Sequence, residues 1–162
     1  MSDAFRYALR LLSYRGRSTT ELREKLGLKG FTVQQADEAL QKLERLGYIN
    51  DSALAGALTR LARDTRKLGR RGAMGYLLKR GISAGLAQEA LAGYDEFEGA
   101  MRLALKKVKA MEGPAPGQRD EEKIPVGKDP VFKRRLYGVL ARRGFSPQTI
   151  RQVFFKLEEE DT

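Results

Sequence analysis

The sequence predicts an all-α protein, and three observations support that prediction. Apolar residues recur at helical spacing along most of the 162 residues, and no segment shows the sustained alternation of a β-strand. A short pattern of leucine, basic residue, glycine and apolar residue occurs three times. Each copy ends in a Ser or Thr suited to starting a helix. These features predict about nine helices arranged as three tandem three-helix repeats.

The repeated pattern predicts a helix, a turn and a second helix. Its three copies occupy residues 22–32, 73–83 and 136–146. A glycine just past a helix end adopts the left-handed conformation, and the residue after it packs back on the last turn. The pattern therefore predicts helix caps at Gly30, Gly81 and Gly144. In each copy the apolar residue after the glycine is expected to contact the leucine four residues before that glycine: Phe31 with Leu26, Ile82 with Leu77, and Phe145 with Leu140.

The predicted helices are placed by apolar stripes and by start signals. Ser18 and Glu21 have the spacing of a capping box, as do Thr32 and Gln35. Asn50 is expected to cap the next helix, and Ser146 precedes a proline that suits a first helical position. The predicted helices are 4–14, 19–28, 33–47, 52–67, 71–80, 84–93, 95–111, 130–143 and 147–158.

The helices group into three repeats, predicted at residues 1–50, 51–94 and 95–162. The third repeat is longer than the others because residues 113–130 are turn-rich and polar. Proline, glycine and charge in this stretch predict a flexible insertion rather than buried structure.

Composition argues against catalysis. The chain has no cysteine and no histidine, which removes thiolate chemistry, the commonest general base and the commonest metal ligand. No phosphate-binding loop and no nucleophile–base pair is found in the sequence. We therefore expect a non-enzymatic protein without cofactor or metal. A secretion signal and a membrane-length apolar run are both absent, so we expect a cytoplasmic protein with no membrane partner.

Positive charge is concentrated in one part of the chain. The net charge is +10, which favours an anionic partner. Eight Lys and Arg residues lie between Arg60 and Gly81, and Asp64 is the one acid among them. Unbalanced charge favours a ligand surface, with a solvated helix face as the alternative. The predicted partner- or DNA-binding residues here are Arg63, Arg66, Lys67, Arg70, Arg71, Lys79 and Arg80.

Other candidates are less specific. Backbone at Gly69, Gly72 and Gly75 would let a phosphate approach closely. Lys79 and Arg80 also fall in the last turn of a predicted helix, where cations offset the helix dipole by about 0.3–1 kcal/mol. A structural role therefore competes with ligand contact at these two residues. Five further basic residues are expected either to lie on exposed helix faces or to contact a partner: Lys106, Lys107, Lys133, Arg134 and Arg135.

The ordered set of short segments resembles the RecX regulatory proteins, which bind the RecA recombinase. The similar segments are Tyr7–Arg15, Glu21–Leu26, Lys29–Phe31, Leu43–Asp51, Lys79–Ser83 and Leu140–Pro147. The resemblance implies three three-helix units in an elongated, curved array that binds a RecA filament on single-stranded DNA. It also implies inhibition of the filament's ATPase, strand-exchange and co-protease activities. A monomer is expected, and contact with double-stranded DNA stays open.

The alternative reading is a helix-turn-helix or non-specific DNA-binding protein. In a helix-turn-helix protein the second helix enters the major groove. Here the helix after Gly30 begins with Val33 and carries Asp37 and Glu38 near its start, where carboxylates would meet phosphates and base edges. Sequence-specific reading by this helix is therefore disfavoured, while non-specific binding remains compatible with the charge.

Overall fold

The computed structural model describes residues 2–112 and 129–160, and within these ranges every regular element is an α-helix. The all-α prediction is therefore confirmed. The helices are α1 (Asp3–Tyr14), α2 (Thr19–Lys29), α3 (Val33–Arg45), α4 (Asp51–Asp64), α5 (Arg70–Lys79), α6 (Ala84–Ala90), α7 (Phe97–Glu112), α8 (Pro130–Arg142) and α9 (Pro147–Glu160).

The three predicted glycine caps are present. Gly30, Gly81 and Gly144 have positive φ angles of 97°, 75° and 80°. The residue after each glycine donates its N–H to the carbonyl of the predicted leucine, at 3.1 Å in the first two turns and 3.2 Å in the third. This bond satisfies a carbonyl that the helix end would otherwise leave unpaired. The caps therefore stop α2, α5 and α8 and redirect the chain into the next helix.

The predicted N-caps are also present. The side chains of Ser18 and Thr32 each form a complete capping box. Asn50 Oδ1 accepts from Ala53 N at 2.9 Å, and Ser146 Oγ accepts from Thr149 N at 3.1 Å. These bonds fix the starts of α2, α3 and α9 at the predicted residues and that of α4 one residue earlier, at Asp51.

Three helices end two or three residues earlier than predicted, because further tight turns follow them. α3 ends at Arg45 rather than residue 47, since Gly47 (φ 75°) forms a fourth glycine cap. α4 ends at Asp64 rather than residue 67, since Lys67 adopts a φ of 51° and Leu68 N bonds back to Ala62 O. α6 ends at Ala90 rather than residue 93. The missed turns lie outside the repeated pattern.

The described helices pack into two compact units. The first consists of Met1–Arg60 and Met74–Ala92, and the second of Leu61–Ala73 and Gly93–Thr162. α4 and α5 thus contribute residues to both units. The three-repeat division at 1–50, 51–94 and 95–162 stays a prediction. The predicted insertion at 113–130 lies outside the described residues, except for its end, where Asp129 caps α8.

Each unit has its own apolar core. In the first unit the side chains of α1, α2 and α3 bury a cluster that includes Phe5, Leu22 and Leu43. In the second unit α7, α8 and α9 bury a cluster that includes Phe132 and Leu140. Burial of these side chains, at about 1.5–3 kcal/mol each, supplies most of the driving force for packing. None of the helices in the described ranges has the length and apolar character needed to cross a lipid bilayer.

Candidate partner-binding surface

The richest group of predicted binding residues lies on the loop between α4 and α5 and on the first two residues of α5. We call residues 66–71 the basic loop, since they carry Arg66, Lys67, Arg70 and Arg71. The three arginines are exposed and the lysine is half-buried. The basic loop therefore presents four cations within six residues at the surface of the second unit.

The backbone of the basic loop is held by the turn between α8 and α9. Gly69 N donates to Arg143 O at 3.0 Å, and Arg71 N donates to Gly144 O at 3.2 Å. The Arg143 guanidinium in turn donates through Nη1 to Arg66 O at 2.6 Å. Hydrogen bonds donated by the loop and by the α8–α9 turn thus fix the loop in place, so its cations project from an ordered backbone.

Close backbone contact also explains two of the three glycines near this loop. A Cβ on Gly69 would lie 2.3 Å from the backbone of Phe145, and one on Gly72 would lie 2.2 Å from Arg143 O. These glycines are required because the α8–α9 turn packs directly on them. The proposal that Gly69 and Gly72 admit a phosphate is therefore wrong. Gly75 has nothing within 4 Å of an added Cβ.

Glu96 is a residue that sequence reasoning missed, and it ties the basic loop to the start of α9. Its Oε2 accepts from Arg70 N at 2.6 Å, while Oε1 accepts from Ser146 N at 2.9 Å and from Thr149 Oγ1 at 2.6 Å. A carboxylate at two helix starts is favourably placed. Because Arg70 N already donates to Glu96, it is not free to bind a phosphate. No local spacing could have shown this, because Ser146 lies 50 residues away.

The environment of Glu96 favours its charged form. Burial raises the pKa of its carboxyl, but hydrogen bonds from Ser146, Thr149 and Arg70 outweigh burial and hold the pKa below its usual value. Tyr94 lies nearby in the chain and donates its hydroxyl to Leu68 O at 2.8 Å. Burial raises the pKa of Tyr94 to about 12, so this donor stays protonated at neutral pH.

Replacing Glu96 with glutamine is expected to destabilise the second unit by about 1–3 kcal/mol, because two partly buried donors, Ser146 N and Thr149 Oγ1, would lose a charged acceptor. A folded-state pKa below the usual 4.5 means that the carboxylate stabilises the fold above that pH and that this contribution is lost as pH falls through the folded pKa. Chemical unfolding of Glu96→Gln from pH 7 to pH 3 should show a smaller loss of stability than the parent. Glu98→Gln, which removes an exposed ion pair with Arg102, is the control and should behave like the parent.

Arg63 lies beside acidic neighbours rather than in a purely basic patch. Its Nε is 2.8 Å from Asp64 Oδ1, and that hydrogen bond raises the pKa of Arg63. Both residues line a cavity of about 290 Å³ together with Asp95, Glu98 and other charged residues. The charge of Arg63 is therefore partly neutralised within its own unit, and Lys67 of the basic loop lines the same cavity.

Arg80 takes part in a structural network of the first unit. Its Nε lies 3.3 Å from Glu21 Oε1, and its Nη2 donates to Gly16 O at 2.9 Å. Its side chain is 18% exposed, whereas Lys79 is exposed. Burial raises the pKa of Glu21, but hydrogen bonds from Arg15 and Arg80 lower it below its usual value. Of the predicted pair, only Lys79 is therefore presented to solvent.

Replacing Arg80 with methionine is expected to lower the free energy of unfolding of the first unit by about 1–3 kcal/mol, since Gly16 O and Glu21 would lose a charged donor. Methionine keeps much of the apolar stem of the side chain. Thermal unfolding followed by circular dichroism measures the effect. Lys79→Met is the matched control, and an equal loss in both variants would argue against a special role for Arg80.

The remaining predicted cations lie on α7 and α8. Lys106, Lys107, Arg134 and Arg135 are exposed, while Lys133 pairs with Glu158 of α9. Lys107, Arg134 and Arg135 line one groove of the second unit. In the described ranges no cluster of carboxylates large enough to hold a metal ion is present.

Comparison with known proteins identifies the family. The family model for the first three-helix domain of RecX matches residues 4–43. The regulatory protein RecX of Trichlorobacter lovleyi is 31% identical over 159 residues, covering 96% of both chains, and that of Chlorobaculum tepidum is 31% identical over 151 residues, covering 93% and 86%.

Solved structures agree with this assignment. The crystal structure of RecX from Lactobacillus salivarius matches with a TM-score of 0.76 at 25% identity, and the match covers 96% of this chain and 94% of that one. A second RecX crystal structure, at 22% identity and a TM-score of 0.72, shares the fold. The resemblance inferred from the sequence is confirmed over nearly the whole length, and the chain belongs to the RecX family of regulatory proteins.

Proposed function

We propose that this chain is a non-enzymatic cytoplasmic regulator that binds the RecA filament on single-stranded DNA. Bound there, it inhibits ATP hydrolysis, strand exchange and co-protease activity, and so acts in recombinational repair and the SOS response. The observation that supports the proposal most strongly is similarity to regulatory RecX proteins along 96% of the chain.

The basic loop is the part of the chain best suited to the filament's negative charge. Its cations project from a backbone that Glu96, Arg143 and Gly144 hold in place. An ordered set of cations loses less conformational entropy on binding than a mobile one. We assign Arg66, Lys67, Arg70 and Arg71 to contact with the filament or its DNA, and Lys79 and Lys106 to a lesser contribution.

Non-specific DNA binding is the second candidate, and the net charge of +10 favours it. Such binding depends on phosphate contacts and weakens steeply with salt. The start of α3 is poorly suited to reading bases, because Asp37 pairs there with Arg23 at 2.9 Å. The two candidates differ in whether RecA is needed for tight binding.

Co-sedimentation tests the proposal against this alternative. The protein is spun with single-stranded DNA alone and with RecA filaments assembled on the same DNA, each over a range of salt. Filament regulation predicts tighter binding to the filament than to bare DNA at physiological salt. Equal binding to both, with the same dependence on salt, would leave only the DNA-binding alternative.

A further inference from the structure

A groove on the second unit combines an apolar lining with a rim of positive charge. It lies along α7 and α8 and has a volume of about 600 Å³, which is within the usual range of about 300–1,000 Å³ for pockets that hold ligands. Apolar residues such as Ala110 and Val139 line it. The groove therefore has room for a few side chains of a partner.

The charge around the groove is of one sign. Four exposed cations line it, and no carboxylate is found among its lining residues within the described part of the chain. Cations crowded in this way repel one another, so a binding partner with negative charge would relieve the repulsion. The four are Lys107, Arg134, Arg135 and Arg142.

Gly138 keeps the groove open. Gly138 lines the groove in the middle of α8. Close backbone packing does not require a glycine there, because the three atoms nearest to an added Cβ all belong to the flexible guanidinium of Arg142, the first at 3.1 Å. A larger side chain at this position would occupy the groove and displace that guanidinium.

We propose that the groove along α7 and α8 binds an acidic peptide segment that also carries apolar side chains, supplied by a protein partner. Guanidinium groups bind carboxylates through paired hydrogen bonds, and the apolar lining would bury the segment's apolar side chains. Single-stranded nucleic acid suits the groove less well. Base stacking needs an exposed aromatic ring, and Phe132 in the lining is only 2% exposed.

The test uses the full chain and a short fluorescent peptide of Glu, Asp, Leu and Phe, with binding followed by anisotropy. Changing Arg134 and Arg142 together to glutamine is expected to weaken binding by at least about tenfold, since each removes a charge-assisted hydrogen bond. Gly138→Leu is expected to have a similar effect while leaving every charge in place. Changing Lys25 and Arg45 to glutamine, an equal loss of charge on exposed residues of the first unit, should change little.

Three comparisons would overturn the proposal. They are equal binding of a peptide of Glu, Asp, Ser and Gly, a loss of oligothymidylate binding in the Arg134 and Arg142 variant as large as its loss of peptide binding, and undiminished peptide binding by a folded Gly138→Leu variant. If replacing Asp120, Glu121 and Glu122 with neutral residues tightens peptide binding, these acidic residues compete with the peptide. The groove would then be assigned to that acidic segment of the same chain instead of to a protein partner. Circular dichroism establishes that each variant is folded. If Gly138→Leu does not fold, the variant with Arg134 and Arg142 changed to glutamine still tests the groove.

The inference rests on the proposed function only in taking the partner to be a protein, and the two can fail separately. Filament inhibition without peptide binding would reject the groove assignment alone. Peptide binding without filament inhibition would reject the proposed function alone.

Discussion

Replacing the four cations of the basic loop with glutamine is expected to weaken binding to a RecA filament on single-stranded DNA by at least about tenfold, equivalent to about 1.4 kcal/mol. The cations are Arg66, Lys67, Arg70 and Arg71. Each phosphate contact on a single strand contributes about 0.7 to the slope of log affinity against log salt. If all four meet phosphates, the slope should become shallower by about 3. Filament titrations at several salt concentrations measure both quantities.

A matched variant separates a local contact from total charge. Four exposed cations outside the basic loop, changed to glutamine, remove the same charge while leaving the loop intact: Arg10, Lys25, Arg45 and Lys109. This control should bind the filament much more tightly than the loop variant. The loop variant retains the backbone carbonyl at position 66 that accepts from the Arg143 side chain. Its helical content should therefore be unchanged. Equal weakening in the two variants would exclude the basic loop as a specific contact.

Replacing Gly144 with alanine is expected to destabilise the second unit by about 2–5 kcal/mol. A φ of 80° costs an alanine about 1–2 kcal/mol, and the new Cβ would lie 2.1 Å from Gly72 N. Forcing an extra carbon into packed structure typically costs a further 1–3 kcal/mol or so. Urea unfolding measures the loss, which should be accompanied by weaker filament binding because the α8–α9 turn holds the basic loop.

Gly30→Ala is the control for backbone strain. Gly30 has a φ of 97°, but nothing lies within 4 Å of an added Cβ. Its substitution should therefore cost only the conformational part, about 1–2 kcal/mol. An equal effect at both glycines would mean that Gly72 moves away without cost and that the close packing on Gly144 contributes no stability.

The same contact occurs once within each unit and gives the repeated basic residue a structural role. In the first unit Arg80, just before the cap glycine, donates to Gly16 O in the turn between α1 and α2. In the second unit Arg143, also just before the cap glycine, donates to Arg66 O in the turn between α4 and α5. The cation before the glycine thus fastens one turn to an earlier one, in addition to any effect on the helix dipole.

Local structure could be predicted from the sequence because its causes are local. A glycine cap, a capping box and an apolar stripe each depend on residues within a few positions of one another. For that reason Gly30, Ser18 and Asn50 were placed correctly. The early end of α4 was missed because Lys67 adopts a left-handed backbone conformation that residues other than glycine rarely adopt.

The setting of the candidate surface could not be read from the sequence, because it depends on tertiary contacts. Glu96 accepts hydrogen bonds from Arg70 and Ser146, which lie 26 and 50 positions away in the sequence. Gly69 packs against the turn at Gly144, more than seventy residues later. Charge density alone grouped Arg80 with the basic loop. The structure shows that Arg80 bonds within the first unit, while Arg66, Arg70 and Arg71 lie exposed on the second.

The rate of ATP hydrolysis by RecA on single-stranded DNA, followed as this protein is added, tests the central claim most directly. Regulation of the filament predicts a rate that falls as the protein is added and approaches a low plateau near saturation of the filament. The loop variant should need at least about ten times more protein for the same inhibition. A rate unchanged at a stoichiometric excess of the wild-type chain over RecA would contradict the proposed function.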